Sequence, residues 1–131
     1  MMTVFIDGAS AGNPGKIGIC YLIYKENELI KEGSTYLGIQ TNNFAEYMAL
    51  IFALLYVLSM GEKNVEVFSD SNLLCEQISG NFKVKNKNIY ALFILAKAAI
   101  SKFENFKISH IDREKNKEAD KLATEAIGFL I

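Results

Sequence analysis

Four carboxylates carry the most chemical weight in this sequence. Asp7 closes the apolar run Val4-Phe5-Ile6, and Asp70 follows Val65-Glu66-Val67-Phe68-Ser69. Glu46 is the only charge between residues 44 and 60, and Asp120 lies between Lys117 and Lys121. Each has an ordinary reading. Asp7-Gly8 is a common turn dipeptide, Glu46 complements a helix dipole, and Asp120 can pair with a neighbouring lysine on an exposed helix. Together they point elsewhere. Carboxylates gathered at one place repel one another unless a cation sits between them, and burying an unpaired one is costly. The chemistry they share is that of a metal centre.

For these acids to meet, the elements must carry them to one edge. Residues 2–7 read as a strand ending at Asp7, followed by the small residues Gly8 to Gly15, read as a loop open to close backbone approach. Residues 17–25 form a second strand, and Glu26-Asn27 turns into a third over 28–38, giving an antiparallel meander. Thr41-Asn42-Asn43 offers helix caps for an apolar helix over 44–60, stopped by Gly61. A strand over 65–68 ends at Ser69-Asp70, and a short helix spans 71–79. Lys83, Lys85 and Lys87 mark a solvated basic connection. A helix over 89–103, a strand over 106–111 and a helix over 116–129 complete the chain. The order βββαβααβα predicts an α/β domain with a mixed five-stranded sheet, its first three strands antiparallel and the rest parallel, flanked by helices. The strands ending at Asp7 and Asp70 are short and strongly apolar, as central parallel strands are. As neighbours they would bring those carboxylates to one edge, roughly 4.8 Å apart, where open α/β sheets bind ligands.

Composition narrows the classes. The 131 residues predict a single domain over 1–131. With 14 basic and 15 acidic residues the net charge is −1, too low for binding driven by bulk phosphate attraction. Cys20 and Cys75 lie far apart, with His110 the only imidazole, which is no zinc pattern; two reduced thiols in a cytoplasmic protein is the expectation. The first strand starts too near Met1 for a signal peptide. The uncharged stretch Tyr47–Met60 is shorter than the roughly 20 residues of a membrane span and reads as a core helix. No interface for oligomerisation is evident, so a monomer without membrane attachment is expected.

The ordered motifs resemble the type I ribonuclease H family. The resemblance runs through Asp7-Gly8-Ala9-Ser10-x-Gly12-Asn13-Pro14-Gly15 and Thr41-Asn42-Asn43-x-Ala45-Glu46-Tyr47-x-Ala49-Leu50. It continues through Ser69-Asp70-Ser71-x-Leu73 and His110-Ile111-x-Arg113-Glu114-x-Asn116-x-x-Ala119-Asp120-x-Leu122-Ala123. Any one block is weak; in order they span almost the whole chain. The resemblance implies a ribonuclease H-like fold and metal-dependent cleavage of the RNA strand of RNA–DNA hybrids, leaving 5′-phosphate and 3′-hydroxyl ends. It places the catalytic, metal-binding acids at Asp7, Glu46, Asp70 and Asp120, with two Mg2+ ions per site and Mn2+ as a substitute. Hard divalent cations suit carboxylate oxygens, and two of them about 3.5–4 Å apart can activate a water and stabilise a leaving oxygen.

The substrate must be told from DNA by its 2′-hydroxyl. The resemblance puts Asn13, Asn42 and Asn43 against the hybrid, with Ser10, Ser71 and Asn72 beside the acids; the same asparagines and Ser71 also suit caps and turns. Two departures stand out. The histidine loop that many relatives carry before the last helix is shortened here to Arg113–Lys115, and His110 lies instead at the end of the last strand, as a structural residue or an auxiliary to catalysis. The basic protrusion of some relatives, with its tryptophans, is reduced to the short Lys83/Lys85/Lys87 segment. Alternatives of another kind are a non-catalytic hybrid-binding module, or a nuclease of this fold acting on double-stranded RNA.

Overall fold

The computed structural model describes residues 1–128. Its elements run β1 (Met2–Gly12), β2 (Gly15–Lys25), β3 (Glu28–Gln40), α1 (Asn42–Ser59), β4 (Asn64–Ser69), α2 (Asn72–Ile78), α3 (Lys87–Ile100), β5 (Asn105–His110) and α4 (Lys117–Gly128). A 3-10 turn over Arg113–Asn116 leads into α4. Phe129, the expected end of the last helix, lies outside the described residues. One sheet holds all five strands in the order β3-β2-β1-β4-β5. β1 pairs antiparallel with β2, and β2 with β3; β4 runs parallel to both β1 and β5. The expected element order and mixed sheet are the ones observed.

Alternation along β1 divides the core in two. Val4 and Ile6 join the larger cluster with Tyr47, Leu50 and Leu54 of α1, whereas Phe5 packs on the other face with Cys20, Leu22, Ala119 and Ala123. Period-two geometry makes this division automatic. It also gives Asp7 the face that Phe5 shares with α4. Among the described residues, α1 is the one helix long and apolar enough to cross a membrane. Its Ala45, Ala49, Leu50, Ala53, Leu54 and Val57 are buried within the core cluster, so it is a core helix. Thr41 caps it, accepting the Phe44 N–H at 3.2 Å.

One expectation is corrected. The small-residue segment after Asp7 is not a loop: β1 continues to Gly12, pairing Gly8 with Ile19 and Gly12 with Gly15 across a hairpin turn at Asn13-Pro14. The small side chains serve contact rather than flexibility. A Cβ on Gly8 would stand 2.7 Å from the Ala45 carbonyl carbon and the Glu46 nitrogen, so only glycine lets the start of α1 lie against β1. The Glu26-Asn27 turn is as expected, with both residues at positive φ between β2 and β3.

Candidate active site

β1 and β4 set the site. Their parallel register puts Ile6 opposite Ser69, so Asp7 and Asp70 follow side by side at the carboxyl edge of the sheet. Glu46 arrives from the first turns of α1, and its Oε1 accepts the Gly8 N–H. Ligand oxygens of Asp7, Glu46 and Asp70 lie within 4.8 Å of one another. Asp7 and Glu46 are each only 3% exposed. Asp120, in the first turn of α4, lies outside this trio but near enough to Asp7 to help raise its pKa.

The electrostatics are those of an uncompensated cluster. Burial, then the charges of Glu46 and Asp70, push the Asp7 carboxyl up to about 10. Burial and the Asp70 charge raise Glu46 to about 8, against the Gly8 N–H and the Arg113 charge, which favour its ionised form. Among the described residues the ion pairs are Lys25–Glu62 and Lys107–Glu66, both away from these acids. Three converging, largely buried carboxylates without a paired cation fit a hard divalent ion, which prefers oxygen ligands.

Beside the trio, with Asp120 the one acid in its wall, an open cleft of about 450 Å³ is lined by Gly8, Ser10, Asn13, Asn42 and Arg113, among others. A second, also about 450 Å³, lies across Asn13 and is bounded by Thr41, Asn43, Gln77, Lys83 and Lys85. Asn13 therefore belongs to the walls of both.

A reverse transcriptase-like family model matches residues 5–126. The chain is 34% identical over 124 residues to Ribonuclease HI of Halobacterium salinarum, covering 94% of this chain and 62% of that protein. It is 35% identical over 123 residues to the bifunctional protein Rv2228c of Mycobacterium tuberculosis, with 92% of this chain matched. It spans only 34% of that relative's length. The crystal structure of LC11-RNase H1 in complex with an RNA/DNA hybrid superposes with a TM-score of 0.92 at 38% identity, covering 98% of this chain and 97% of that one. The chain belongs to the ribonuclease H family.

Within this ribonuclease H fold the expected contact residues occupy distinct places. Asn13 Oδ1 accepts the Asn42 N–H at 2.9 Å, tying the β1–β2 hairpin to the start of α1. Asn43 donates through Nδ2 to Gln77 Oε1 at 3.5 Å. The Ser10 hydroxyl donates to the Gly12 carbonyl. Ser71 caps α2 by accepting the Leu74 N–H at 3.2 Å, and Asn72 is exposed at that helix's first position. His110 is exposed at the end of β5, its Nε2 3.2 Å from the Asp70 carbonyl, so the ring anchors the strand end below Asp70.

Three residues near these clefts were given no role from the sequence. Asn116, 2% exposed, donates to the Ile6 carbonyl at 2.8 Å and to Asp70 Oδ2 at 3.2 Å. Arg113 lines the acid cleft. Gln77, buried in α2, accepts the Tyr47 hydroxyl at 2.9 Å and donates to the Lys83 carbonyl at 3.5 Å. Asn116 and Arg113 sit inside the last motif block, where their spacing to Asp120 was visible. For Gln77 the one available signal is a polar residue on the apolar face of a short helix.

Proposed function

We propose that this chain is a metal-dependent endoribonuclease that cleaves the RNA strand of RNA–DNA hybrids. The observation that carries the reading is the convergence of Asp7, Glu46 and Asp70 within 4.8 Å at the sheet edge, with Asp120 alongside. The hybrid complex of the similar LC11-RNase H1 supports the substrate class.

In this reading the four acids hold two Mg2+ ions, for which Mn2+ can substitute. When bound, the ions supply an activated water and offset the charge that builds on the leaving 3′-oxygen, which leaves 5′-phosphate and 3′-hydroxyl ends. The chain's own groups prepare the place. The Gly8 N–H fixes one oxygen of Glu46. Burial keeps water from Asp7. Asn13, Asn42 and Ser10 face the hybrid from the acid cleft, Asn43 from the second cleft, and Ser71 and Asn72 from the start of α2. Their hydrogen bonds and those of nearby backbone groups read the 2′-hydroxyl, the group that separates RNA from DNA. Lys83 and Lys85 along the second cleft attract backbone phosphate. Two buried, unpaired cysteines, Cys20 and Cys75, fit the reducing cytoplasm.

The test is a gel assay on one labelled RNA strand, annealed to DNA, annealed to RNA, or left single, with Mg2+, Mn2+ or EDTA. Cleavage of the hybrid alone, lost in EDTA, is expected. Cleavage of the RNA duplex as well would widen the substrate. Tight hybrid binding without cleavage under either metal would replace the enzyme with a binding module. Asp70→Asn should abolish cleavage while preserving the fold; full activity in that variant would overturn the assignment.

A further inference from the structure

Asn116 touches neither cleft, yet it bonds two of the elements that carry the acids. It ends the 3-10 turn before α4, and its amide reaches 110 residues back to the Ile6 carbonyl and 46 back to Asp70 Oδ2. A backbone carbonyl can only accept, so the Ile6 contact fixes which end of the amide points inward. Nδ2 must face both acceptors. Its Oδ1 is then left buried and without a partner. A buried acceptor left unpaired is destabilising. Packing alone would be served without that cost by an apolar side chain of similar size. The amide's orientation satisfies the Ile6 carbonyl and Asp70 Oδ2 together and leaves Oδ1 unpaired.

We propose that Asn116 is a positioning residue for the cation site. Holding Asp70 Oδ2, it fixes the carboxylate that stands with Asp7 and Glu46 inside 4.8 Å. Its bond to Ile6 anchors the start of α4 beside β1, and Asp120 lies four residues on, one helical turn further along. One amide therefore sets Asp70 directly and Asp120 through α4, against a strand that delivers Asp7. The inference rests on reading the acids as a cation site. It goes beyond that reading by naming the residue that sets their geometry.

The experiment is calorimetric Mn2+ titration of the hybrid-free protein, beside the Mg2+ dependence of hybrid cleavage, for wild type and Asn116→Ala. Groups that orient metal ligands through hydrogen bonds typically change metal affinity by about 10–100-fold. The alanine variant should therefore bind Mn2+ about tenfold or more weakly and need correspondingly more Mg2+, with the hybrid KM at saturating Mg2+ within about twofold of wild type. Val57→Ala, destabilising the core far from the acids, controls for lost stability and should leave Mn2+ affinity unchanged. Should Asn116→Ala not fold, Asn116→Ser, which keeps a donor, and the wild-type side-chain amide signal of Asn116 carry the test; that signal should shift on Mg2+ addition. Unchanged Mn2+ affinity in folded Asn116→Ala, a wild-type Asn116 amide signal indifferent to Mg2+, or an equal loss in Val57→Ala would overturn the inference alone. A wild type that binds no divalent cation would overturn the cation-site reading, and this inference with it.

Discussion

Burying Asp7 and Glu46 within reach of Asp70 costs the fold free energy, because desolvation and mutual repulsion both disfavour their charged forms. Each has a folded-state pKa above its ordinary value: about 10 against 3.8 for Asp7, and about 8 against 4.5 for Glu46. Groups raised in this way add stability that is complete below the ordinary pKa and is lost as pH rises through the folded one. Without metal, the melting temperature should therefore fall as pH climbs from about 4.5 towards 8 and beyond. Added Mg2+ favours the ionised acids, so the stabilisation it gives should grow over the same window. Thermal melts in EDTA and in Mg2+ across that range check both slopes; a metal-free protein that gains stability with rising pH would contradict them. Asp7→Asn removes the costliest charge. It should raise the metal-free stability by about 1–2 kcal/mol, some 3–6 °C in Tm, while abolishing cleavage.

At the scale of elements, the site depends on how closely α1 lies against β1. Gly8→Ala would drive its Cβ into backbone atoms at 2.7 Å, not into a side chain that can swing away. The start of α1 must then move and take Glu46 with it. We expect a loss of about 2–4 kcal/mol and a fall in kcat, measured by melts and steady-state cleavage. Gly61→Ala is the contrast. It meets open space at φ +78°, so it should cost about 1 kcal/mol and leave kcat alone. These two glycines also mark what the sequence could disclose. Gly61 was legible as a helix stop, because a stop is a local matter of backbone angle. Gly8 looked like loop material, because small residues report close approach and flexibility alike, and only the packing of α1 separates the two. The acids were legible for a related reason: Glu46 is a lone charge in an apolar run, and the short apolar strands ending at Asp7 and Asp70, read as parallel neighbours, put both at one edge. Asp120, among lysines, was marked instead by its motif block. Asn116 was legible only as a member of the last motif block; one asparagine among polar neighbours shows no sign of contacts 46 and 110 residues away.

For the whole molecule, a net charge of −1 gives no general attraction to a polyanion. Electrostatic affinity must come from lysines placed by the fold, and their position distinguishes them. Lys83 and Lys85 line the second cleft, in a connection held to α2 by the Gln77 bond to the Lys83 carbonyl. Lys87, although exposed and close in sequence, opens α3 and is not part of that lining. Each lysine that neutralises a phosphate on binding adds about 1 to the slope of log K against log salt. Lys83→Gln and Lys85→Gln should each weaken hybrid binding and flatten that slope by about 1, with kcat at saturating hybrid preserved. Lys87→Gln should change neither. Gln77→Leu keeps both charges but releases the connection that carries them, so it should flatten the slope like a lysine loss. Fluorescence anisotropy with a labelled hybrid, run in a salt series with a non-cleaving Asp70→Asn background, reads all four variants. Equal effects from all three lysines would mean that the cleft plays no part and that the segment acts only through its total charge.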